Sequence, residues 1–280
     1  MNSVKDISKL DKQFRVYDKS TKLAIRNHYR NLRQKQTLQY NIKMLQKHIE
    51  RVKTPLTMWE AFNYINKFID VSDPDITLSN LHHAFQVAEA IRKDGHPEWL
   101  QLTGLIHDLG KIMYLWGNDE DGTSIKHQWG ICGDTFIVGC KIPNSCVFPE
   151  FNKLNPDMKC DIRKTKMGVY NQYNMGLTNC DCSWGHDEYM YRVLCDTRNK
   201  HSLPPESLYI IRYHSLYPWH TNNEYSQFEN YVDLQMKQWV KLFNKYDLYT
   251  KEDIEVDTQK LKKYYGGLFK KFFHVEKLYF

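Results

Sequence analysis

A histidine–aspartate pair interrupts the most regular apolar stripe of this sequence, and this feature constrains the fold more than any other. Apolar residues recur at helical spacing from Leu102 to Met113, and His107 and Asp108 stand among them. The spacing predicts a helix over this stretch. Because buried polar groups are costly without partners, the pair needs a hydrogen-bonding or metal partner in the core. A mutual His–Asp hydrogen bond would also satisfy both groups, so the pair alone leaves a structural role open.

Helical periodicity also dominates the remaining chain. Thr54-Pro55 suits a helix start, and a stripe at three- and four-residue spacing runs from Trp59 to Ile69. The stretch 117–182 is instead rich in turn formers, which predicts long connecting loops and one short β-hairpin near 145–150 and 166–170. We therefore predict a mostly α-helical bundle forming a single domain, residues 1–280. Further helices are predicted over 81–93, 187–195, 206–213, 231–243 and 256–272.

The basic residues are unevenly distributed along the chain. Residues 1–53 hold 14 Lys and Arg against 4 Asp and Glu, whereas the remaining residues hold 25 against 29. A basic N-terminal arm is thus attached to a slightly acidic body. This asymmetry requires nucleic acid to be considered as a partner.

Composition argues for an intracellular globular protein. No apolar run approaches the roughly 18 residues that a membrane helix needs, and the segment Met1–Leu10 lacks the apolar core of a secretory signal. The seven cysteines are an odd number and contain no CxxC pair. This pattern favours reduced thiols in the cytoplasm over a disulfide framework.

Four histidines and two aspartates offer a set of ligands for two metal ions. Imidazole and carboxylate groups together suit iron, zinc or manganese, and the lack of thiolates argues against a structural zinc site. On a helix, adjacent side chains point about 100° apart, so Asp108 could bridge two metals while His107 binds one of them. Any one of these histidines alone is more often an ordinary polar residue, and only the joint pattern favours a metal centre. The set comprises His83, His107, Asp108, His186, His214 and Asp247.

Several other catalytic motifs are excluded. The chain contains neither HExxH nor ExxH, which argues against a zincin and a ferritin-type carboxylate site. The segment Gly104–Lys111 is similar to a P-loop, but five residues separate its glycines, and Ile112 stands where Ser or Thr would bind magnesium.

Long strings of this sequence resemble the inositol oxygenase family. The resemblance runs from about residue 12 to the C-terminus and extends well beyond a generic H…HD…D pattern. The strings include Phe14-Arg-Val-Tyr17, Asp70-Val-Ser-Asp-Pro-Asp75, Gly104-Leu-Ile-His-Asp-Leu-Gly-Lys111, Ser183-Trp-Gly-His-Asp-Glu-Tyr-Met-Tyr191, Arg212-Tyr-His-Ser-Leu-Tyr-Pro-Trp-His220 and Phe243-Asn-Lys-Tyr-Asp-Leu-Tyr-Thr-Lys251.

The resemblance implies an HD-domain-like helical fold and a specific reaction. The family uses O2 as co-substrate to cleave myo-inositol to D-glucuronate, a four-electron oxidation at a mixed-valent Fe(II)/Fe(III) centre. Asp108 would bridge the irons, with Lys111 as a further catalytic group. By resemblance, one iron would take His83, His107, Asp108 and Asp247, and the other would take Asp108, His186 and His214.

The resemblance also implies a set of substrate contacts suited to a neutral polyol, which needs several donors and acceptors rather than one charge. Tyr29 matches a tyrosine of the N-terminal segment that closes over the substrate, so residues 1–53 would act as arm and lid. An acidic insertion at 118–122 precedes the substrate loop and departs from the family pattern. The implied contacts are Arg15, Tyr29, Asp70, Val71, Ser72, Lys111, Gly133, Asp134, His214, Ser215 and Lys251.

Two alternatives use the same residues differently. An HD-domain metal-dependent phosphohydrolase would use His83, His107, Asp108 and Asp247 as metal ligands and the lysines as phosphate binders. A non-enzymatic alternative makes the basic arm a nucleic-acid-binding segment. The leading hypothesis is a cytoplasmic, monomeric oxygenase of the small molecule myo-inositol, without nucleic-acid or membrane partners.

Overall fold

The computed structural model describes residues 17–73, 79–249 and 257–280. Within these ranges the chain is mostly α-helical, which confirms the predicted fold class. Its α-helices are α1 Leu23–Lys35, α2 Leu38–Glu50, α3 Met58–Ile65, α4 Asn80–Lys93, α5 Glu98–Ile106, α6 His186–Cys195, α7 Pro205–Tyr213, α8 Tyr217–His220, α9 Tyr231–Tyr249 and α10 Thr258–Phe272. Short 3-10 helices cover Leu109–Trp116, Pro149–Leu154, Pro156–Lys159 and Leu177–Asn179.

The main apolar core lies between five of these helices. It contains Phe62 of α3, Phe85 of α4, Leu105 of α5, Met190 of α6 and Leu268 of α10, all buried. Burial of such aromatic and aliphatic side chains is the dominant favourable contribution to folding. A second apolar cluster joins α7 and α9 to the loops before α6.

The prediction of one continuous α-helix over 102–113 is wrong. The α-helix ends at Ile106, and after His107 and Asp108 the chain tightens into the 3-10 helix Leu109–Trp116. Asp108 has φ −91° and ψ 0°, a sparsely populated conformation that is common at functional sites. The tighter turn also brings Gly110 against α6, where a β-carbon would lie 1.9 Å from the carbonyl oxygen of His186.

The predicted β-hairpin is also wrong. Residues 149–154 form a 3-10 helix that begins at a proline, and residues 165–169 bond instead to the 139–141 segment through Lys141 N to Thr165 O and Val169 N to Gly139 O, both 2.9 Å. The two-stranded antiparallel sheet of the described residues pairs β1, Pro55–Leu56, with β2, Leu278–Tyr279. A pairing between residues so distant in sequence leaves no local turn signal.

The acidic segment 118–122 folds as a compact turn beneath α2. Asp121 is buried, and its carboxylate accepts hydrogen bonds from Thr123 and from the Lys47 ammonium. Its backbone carbonyl accepts a hydrogen bond from the Tyr40 hydroxyl at 2.7 Å. Through Asp121 the acidic segment therefore holds α2 against the body, while residues 118–120 are exposed.

The N-terminal basic segment divides into two parts. Residues 1–16, which include Arg15, lie outside the described residues, whereas residues 23–50 form α1 and α2 on the surface of the bundle. Helix α1 packs against the 3-10 helix Pro149–Leu154. In the described parts of the chain, no helix combines the length and apolar character needed to cross a membrane.

Candidate metal centre and substrate pocket

The six predicted metal ligands come from five places in the chain and meet in the interior. His83 lies on α4, His107 and Asp108 follow α5, and Asp247 lies on α9. His186 begins α6 and His214 directly follows α7. All six side chains are buried, and all except His107 line one cavity of about 50 Å³. The fold thus brings together every residue that the sequence pattern selected.

One half of this cluster is centred on Asp247. The Nε2 atom of His83 lies 3.0 Å from Asp247 Oδ1, and the Nε2 atom of His107 lies 3.5 Å from the same oxygen. These three side chains offer one nitrogen or oxygen each within 4.8 Å of one another. Such a group of imidazoles and a carboxylate suits a first-row transition metal.

The other half is centred on Asp108. Its Oδ1 atom lies 3.1 Å from His186 Nε2 and 3.9 Å from His214 Nε2, while its Oδ2 atom lies 3.6 Å from His107 Nε2. The two carboxylate oxygens therefore face different histidines. A carboxylate in this position can bridge two metal ions.

Backbone carbonyls orient three of the histidines. The Nδ1 atoms of His107, His186 and His214 lie 2.8, 2.8 and 3.0 Å from carbonyl oxygens of residues 104, 131 and 211. Because a carbonyl only accepts, each Nδ1 carries a hydrogen, and Nε2 is the ring nitrogen that is turned toward the other residues of the cluster. This is the usual arrangement of metal-binding histidines.

Two of these nitrogens lie close enough together to bind the same metal ion. His186 Nε2 and His214 Nε2 are 3.0 Å apart, and since both Nδ1 atoms are bonded to carbonyls, these two atoms are the ones available to a metal ion. Burial, together with the neighbouring His186 and His107, lowers the pKa of His214 to about 4. His214 is thus neutral at physiological pH, as a metal ligand must be. In addition, the buried Nδ1 of His83 has no hydrogen-bond partner.

Lys111 neutralises the carboxylates beside the cluster. Its ammonium lies 2.8 Å from Asp108 Oδ2, 2.9 Å from Asp70 Oδ2 and 3.0 Å from Asn80 Oδ1. Burial alone would lower the pKa of Lys111, but Asp108 and Asp70 raise it well above its usual value. The lysine is therefore a permanent cation whose three donors are all engaged.

Most of the predicted substrate contacts also line the cavity. Val71 is an exception, because its side chain is 40% exposed and its amide donates to Gln128. Asp134 is another exception, because it does not line the cavity and its carboxylate accepts a hydrogen bond from the Val147 amide at 2.6 Å. Lys251, like Arg15, falls outside the described residues. The predicted contacts that line the cavity are Tyr29, Asp70, Ser72, Lys111, Gly133, His214 and Ser215.

Three lining residues were not predicted. Tyr17, Asp73 and Tyr217 contribute to the cavity wall. Each lies inside one of the strings that carry the family resemblance, one or two residues from a predicted contact. That proximity is the signal in the sequence that could have identified them.

Two tyrosines close the cavity on the side of the N-terminal segment. The Tyr29 hydroxyl donates to the Tyr17 hydroxyl at 3.1 Å, which donates to the carbonyl oxygen of Ser72 at 3.1 Å. Both rings also pack edge-on against Phe148. Helix α1 lies directly on Gly133, where a β-carbon would be 2.6 Å from Leu32 Cδ1.

Comparison with known proteins identifies the family of this chain. Residues 22–280 match the family described as Myo-inositol oxygenase. The chain is 43% identical over 280 residues to an inositol oxygenase of Dictyostelium discoideum, covering 97% of this chain and 92% of that protein. It is 46% identical over 220 residues to inositol oxygenases of Sus scrofa and Homo sapiens, covering 78% of this chain and 74% and 73% of those proteins. With this similarity, and with the buried histidine–aspartate cluster intact, the chain belongs to the myo-inositol oxygenase family.

Proposed function

We propose that this chain uses O2 to cleave the ring of myo-inositol to D-glucuronate at a pair of iron ions. The observation that carries the proposal is the position of Asp108, whose Oδ1 faces His186 and His214 while its Oδ2 faces His107. A carboxylate with its two oxygens turned to different ligands is suited to bridge two metal ions. Relatives named inositol oxygenase support the substrate and the reaction.

The donor set fits two iron ions. His83, His107, Asp108 and Asp247 would hold one iron, and Asp108, His186 and His214 would hold the other. The facing Nε2 atoms of His186 and His214 fit the second position, because they lie close enough together to bind the same metal ion. Nitrogen and oxygen donors without thiolate are compatible with iron in both its ferrous and ferric states. When bound, the pair would supply Lewis acidity and redox chemistry with O2.

The reaction has only two reactants, a neutral polyol and O2, so the site must bind the polyol without relying on a charge. One myo-inositol and one O2 give one D-glucuronic acid and one water, so O2 accepts all four electrons. The side chains of Asp70, Ser72 and Ser215 offer hydroxyl and carboxylate groups at the cavity wall. Groups of this kind recognise hydroxyls by exchanging hydrogen bonds, without requiring charge on the ligand.

In this scheme Lys111 positions the carboxylates of the site before substrate binds. Once substrate is present, it also acts as a catalytic group. Its ammonium holds Asp108 and Asp70 in one geometry. All three N–H donors of its ammonium already have partners. A substrate hydroxyl would therefore replace one of these partners or share a donor with it. Lys111 would then orient that hydroxyl beside the bridging carboxylate and stabilise negative charge developing on its oxygen.

Tyr29 and Tyr17 would keep water out during turnover. Their hydroxyls form the chain that ends on Ser72, and Phe148 packs against both rings. Exclusion of bulk water protects reactive species and strengthens electrostatic interactions in the site.

The charges of the cavity favour a polyol over a phosphate ester. Among the described residues that line it, Lys111 is the one lysine or arginine, and two carboxylates already neutralise it. Phosphate binding normally relies on cationic groups that are free to pair with the ester. The HD-domain phosphohydrolase alternative therefore has less support.

The proposal extends to the setting in which the enzyme works. We propose a single-domain monomer of the cytoplasm that needs neither nucleic acid nor membrane. All seven cysteines are free, which suits a reducing compartment. Trp99 packs against both major apolar clusters, and this continuity of the core supports a single domain.

A direct assay tests the proposed reaction. Protein purified without O2 and loaded with iron is given myo-inositol and O2, and D-glucuronate and oxygen consumption are measured together. We expect equal amounts of product formed and O2 consumed. Failure to form D-glucuronate, with release of phosphate from an ester by the same protein, would instead establish the phosphohydrolase alternative.

A further inference from the structure

A buried ion pair joins the two helices that carry His186 and His214. Glu188 lies on α6, two residues after His186, and Arg212 lies on α7, two residues before His214. The Arg212 Nε atom donates to Glu188 Oε2 at 2.7 Å, and its Nη2 atom donates to Glu188 Oε1 at 3.4 Å. Two residues correspond to about 200° on a helix, so the pair lies on the side of these helices that faces away from the cavity.

Additional contacts fix the pair in one geometry. Glu188 and Arg212 are only 2% and 3% exposed. The Arg212 guanidinium lies 4.6 Å from the centre of the Tyr191 ring and donates to the Tyr213 hydroxyl at 3.0 Å. Arg192 supplies a second guanidinium to Glu188 at 2.8 Å. A planar, bidentate pair with these neighbours resists both separation and sliding of the two helices.

The cavity side of the same helices needs such a restraint. The Nε2 atoms of His186 and His214 lie 3.0 Å apart although the residues are 28 positions apart in sequence. Their separation follows from the spacing of the two helices, because His186 begins α6 and His214 directly follows α7. The ion pair restrains that spacing from the opposite face of the helices.

We propose that Glu188 and Arg212 are positioning residues that set the spacing of His186 and His214 and thereby the affinity of the second iron site. This inference rests on the proposed two-iron function, because it concerns the affinity of one of the two iron positions. Glu188 and Arg212 themselves would touch neither metal nor substrate. Outer residues that orient metal ligands contribute roughly 10–100-fold to metal affinity, and we expect an effect of that size here. The other iron position, built from α4, α5 and α9, does not depend on this pair.

Two variants separate positioning from plain stability. Glu188→Gln keeps a hydrogen-bonding side chain of the same shape but removes the charge. The double variant Glu188→Leu/Arg212→Met removes both charges, and such apolar replacement of a buried pair is often neutral or stabilising. Glu229→Gln is the matched control, because it breaks another buried pair, with Lys237 at 2.8 Å, that does not join α6 to α7.

The test is an anaerobic titration of the apo full-length chain with Fe(II). Bound iron per chain, the EPR signal of the coupled mixed-valent pair after brief exposure to O2, and helical content on heating are measured for each protein. We expect both variants to fold and bind the first iron normally, to bind the second roughly 10–100-fold more weakly and to lose the coupled signal at limiting iron. The control should retain both irons with wild-type affinity.

Three other results would count against the inference or its basis. Wild-type affinity for the second iron in both variants would overturn it. Failure of both variants to fold would also overturn it, because the pair would then act on global stability. A wild-type chain that binds fewer than two irons would instead refute the proposed function, and that result is recognised before any variant is compared.

Discussion

The Lys111 ammonium and the Asp108 carboxylate form a buried ion pair of 2.8 Å across one turn of 3-10 helix. Asp70 binds the same ammonium at 2.9 Å, so Lys111 links the proposed bridging ligand to a proposed substrate contact. This relationship is created by the change from α-helix to 3-10 helix at residue 107, which brings the side chains of residues 108 and 111 onto one face.

We expect Lys111→Ala to reduce turnover at least about 100-fold, the lower end of the contribution of a positioned proton-transfer or charge-stabilising group. Iron content should remain at the wild-type value, because the six proposed ligands are unchanged. Product formation and metal analysis on the same preparation check both statements. Lys237→Ala removes another buried lysine, paired with Glu229, and should retain turnover. Loss of iron from Lys111→Ala would show that the lysine acts by holding Asp108.

Replacement of Asp108 should abolish the paired centre. Asp108→Ala removes the one ligand that the two iron positions share in the proposed assignment. Both the coupled EPR signal and D-glucuronate formation should therefore disappear. Asp108→Asn, which keeps the shape but not the charge, should bind fewer than two irons. An intact coupled signal in Asp108→Ala would contradict the assignment of Asp108 as the bridge.

Sequence patterns predicted the helices well where one face is buried throughout. The stripe from Tyr231 to Phe243 predicted α9, and the apolar residues around His83 predicted α4. The break after Ile106 was not predictable, because six of the eight residues in Leu109–Trp116 are apolar or aromatic, and so dense a run does not separate a repeat of 3.0 residues from one of 3.6. Its cause is tertiary, since the Gly110 backbone packs against the His186 carbonyl.

The candidate site shows a similar division between local and long-range information. The residue types and their motifs selected all six proposed ligands, because each stands out as a polar group among apolar neighbours. The sequence could not show that Asp134 bonds to the Val147 amide, nor that the Tyr17 hydroxyl reaches the carbonyl of Ser72. Both contacts depend on how loops pack, and no local pattern encodes that.

Tyr17→Phe tests the closure of the cavity. The variant removes the hydrogen bonds to Ser72 and Tyr29 but keeps the aromatic ring against Phe148. We expect KM for myo-inositol to rise several-fold, with a loss of stability of about 1 kcal/mol from the broken hydrogen bonds. Steady-state kinetics and urea unfolding measure the two effects. Tyr173→Phe, at a position 68% exposed, should change neither, and an unchanged KM in Tyr17→Phe would exclude a closing role.

Gly133→Ala should displace α1 from the cavity. Gly133 has φ +111°, and an added β-carbon would lie 2.6 Å from Leu32 and 3.3 Å from His28 Nε2. Backbone strain and steric contact both act against the variant, so we expect weaker substrate binding and a stability loss of about 1–3 kcal/mol. Isothermal titration with myo-inositol and chemical unfolding provide the readouts.

The chain offers a glycine-to-alanine control for that experiment. Gly267 lies in α10 with no atom within 4 Å of an added β-carbon, so Gly267→Ala should stabilise the helix by roughly 0.5–1 kcal/mol. Substrate binding should be unchanged. Equal behaviour of the two variants would mean that Gly133 is not needed for the seating of α1.

The buried carboxylate of Asp121 should make the free energy of unfolding depend on pH. Burial alone would raise the pKa of Asp121, but hydrogen bonds from Lys47 and Thr123 lower it below its ordinary value. A carboxyl whose pKa is depressed by folding contributes stability above its unfolded pKa of about 3.9, and that contribution is lost as pH falls through the folded value. Asp121→Asn should therefore destabilise the apo protein by about 1–3 kcal/mol at pH 7, and by progressively less below about pH 4.

Urea unfolding of the apo wild type and Asp121→Asn at a series of pH values measures this difference. Asp161→Asn is the control, because Asp161 is 93% exposed in its pair with Lys164 and such surface pairs contribute little. If the difference between wild type and Asp121→Asn stays constant from pH 7 to pH 3, the ionised carboxylate does not hold α2, and the Tyr40 hydrogen bond to the Asp121 carbonyl must do so instead.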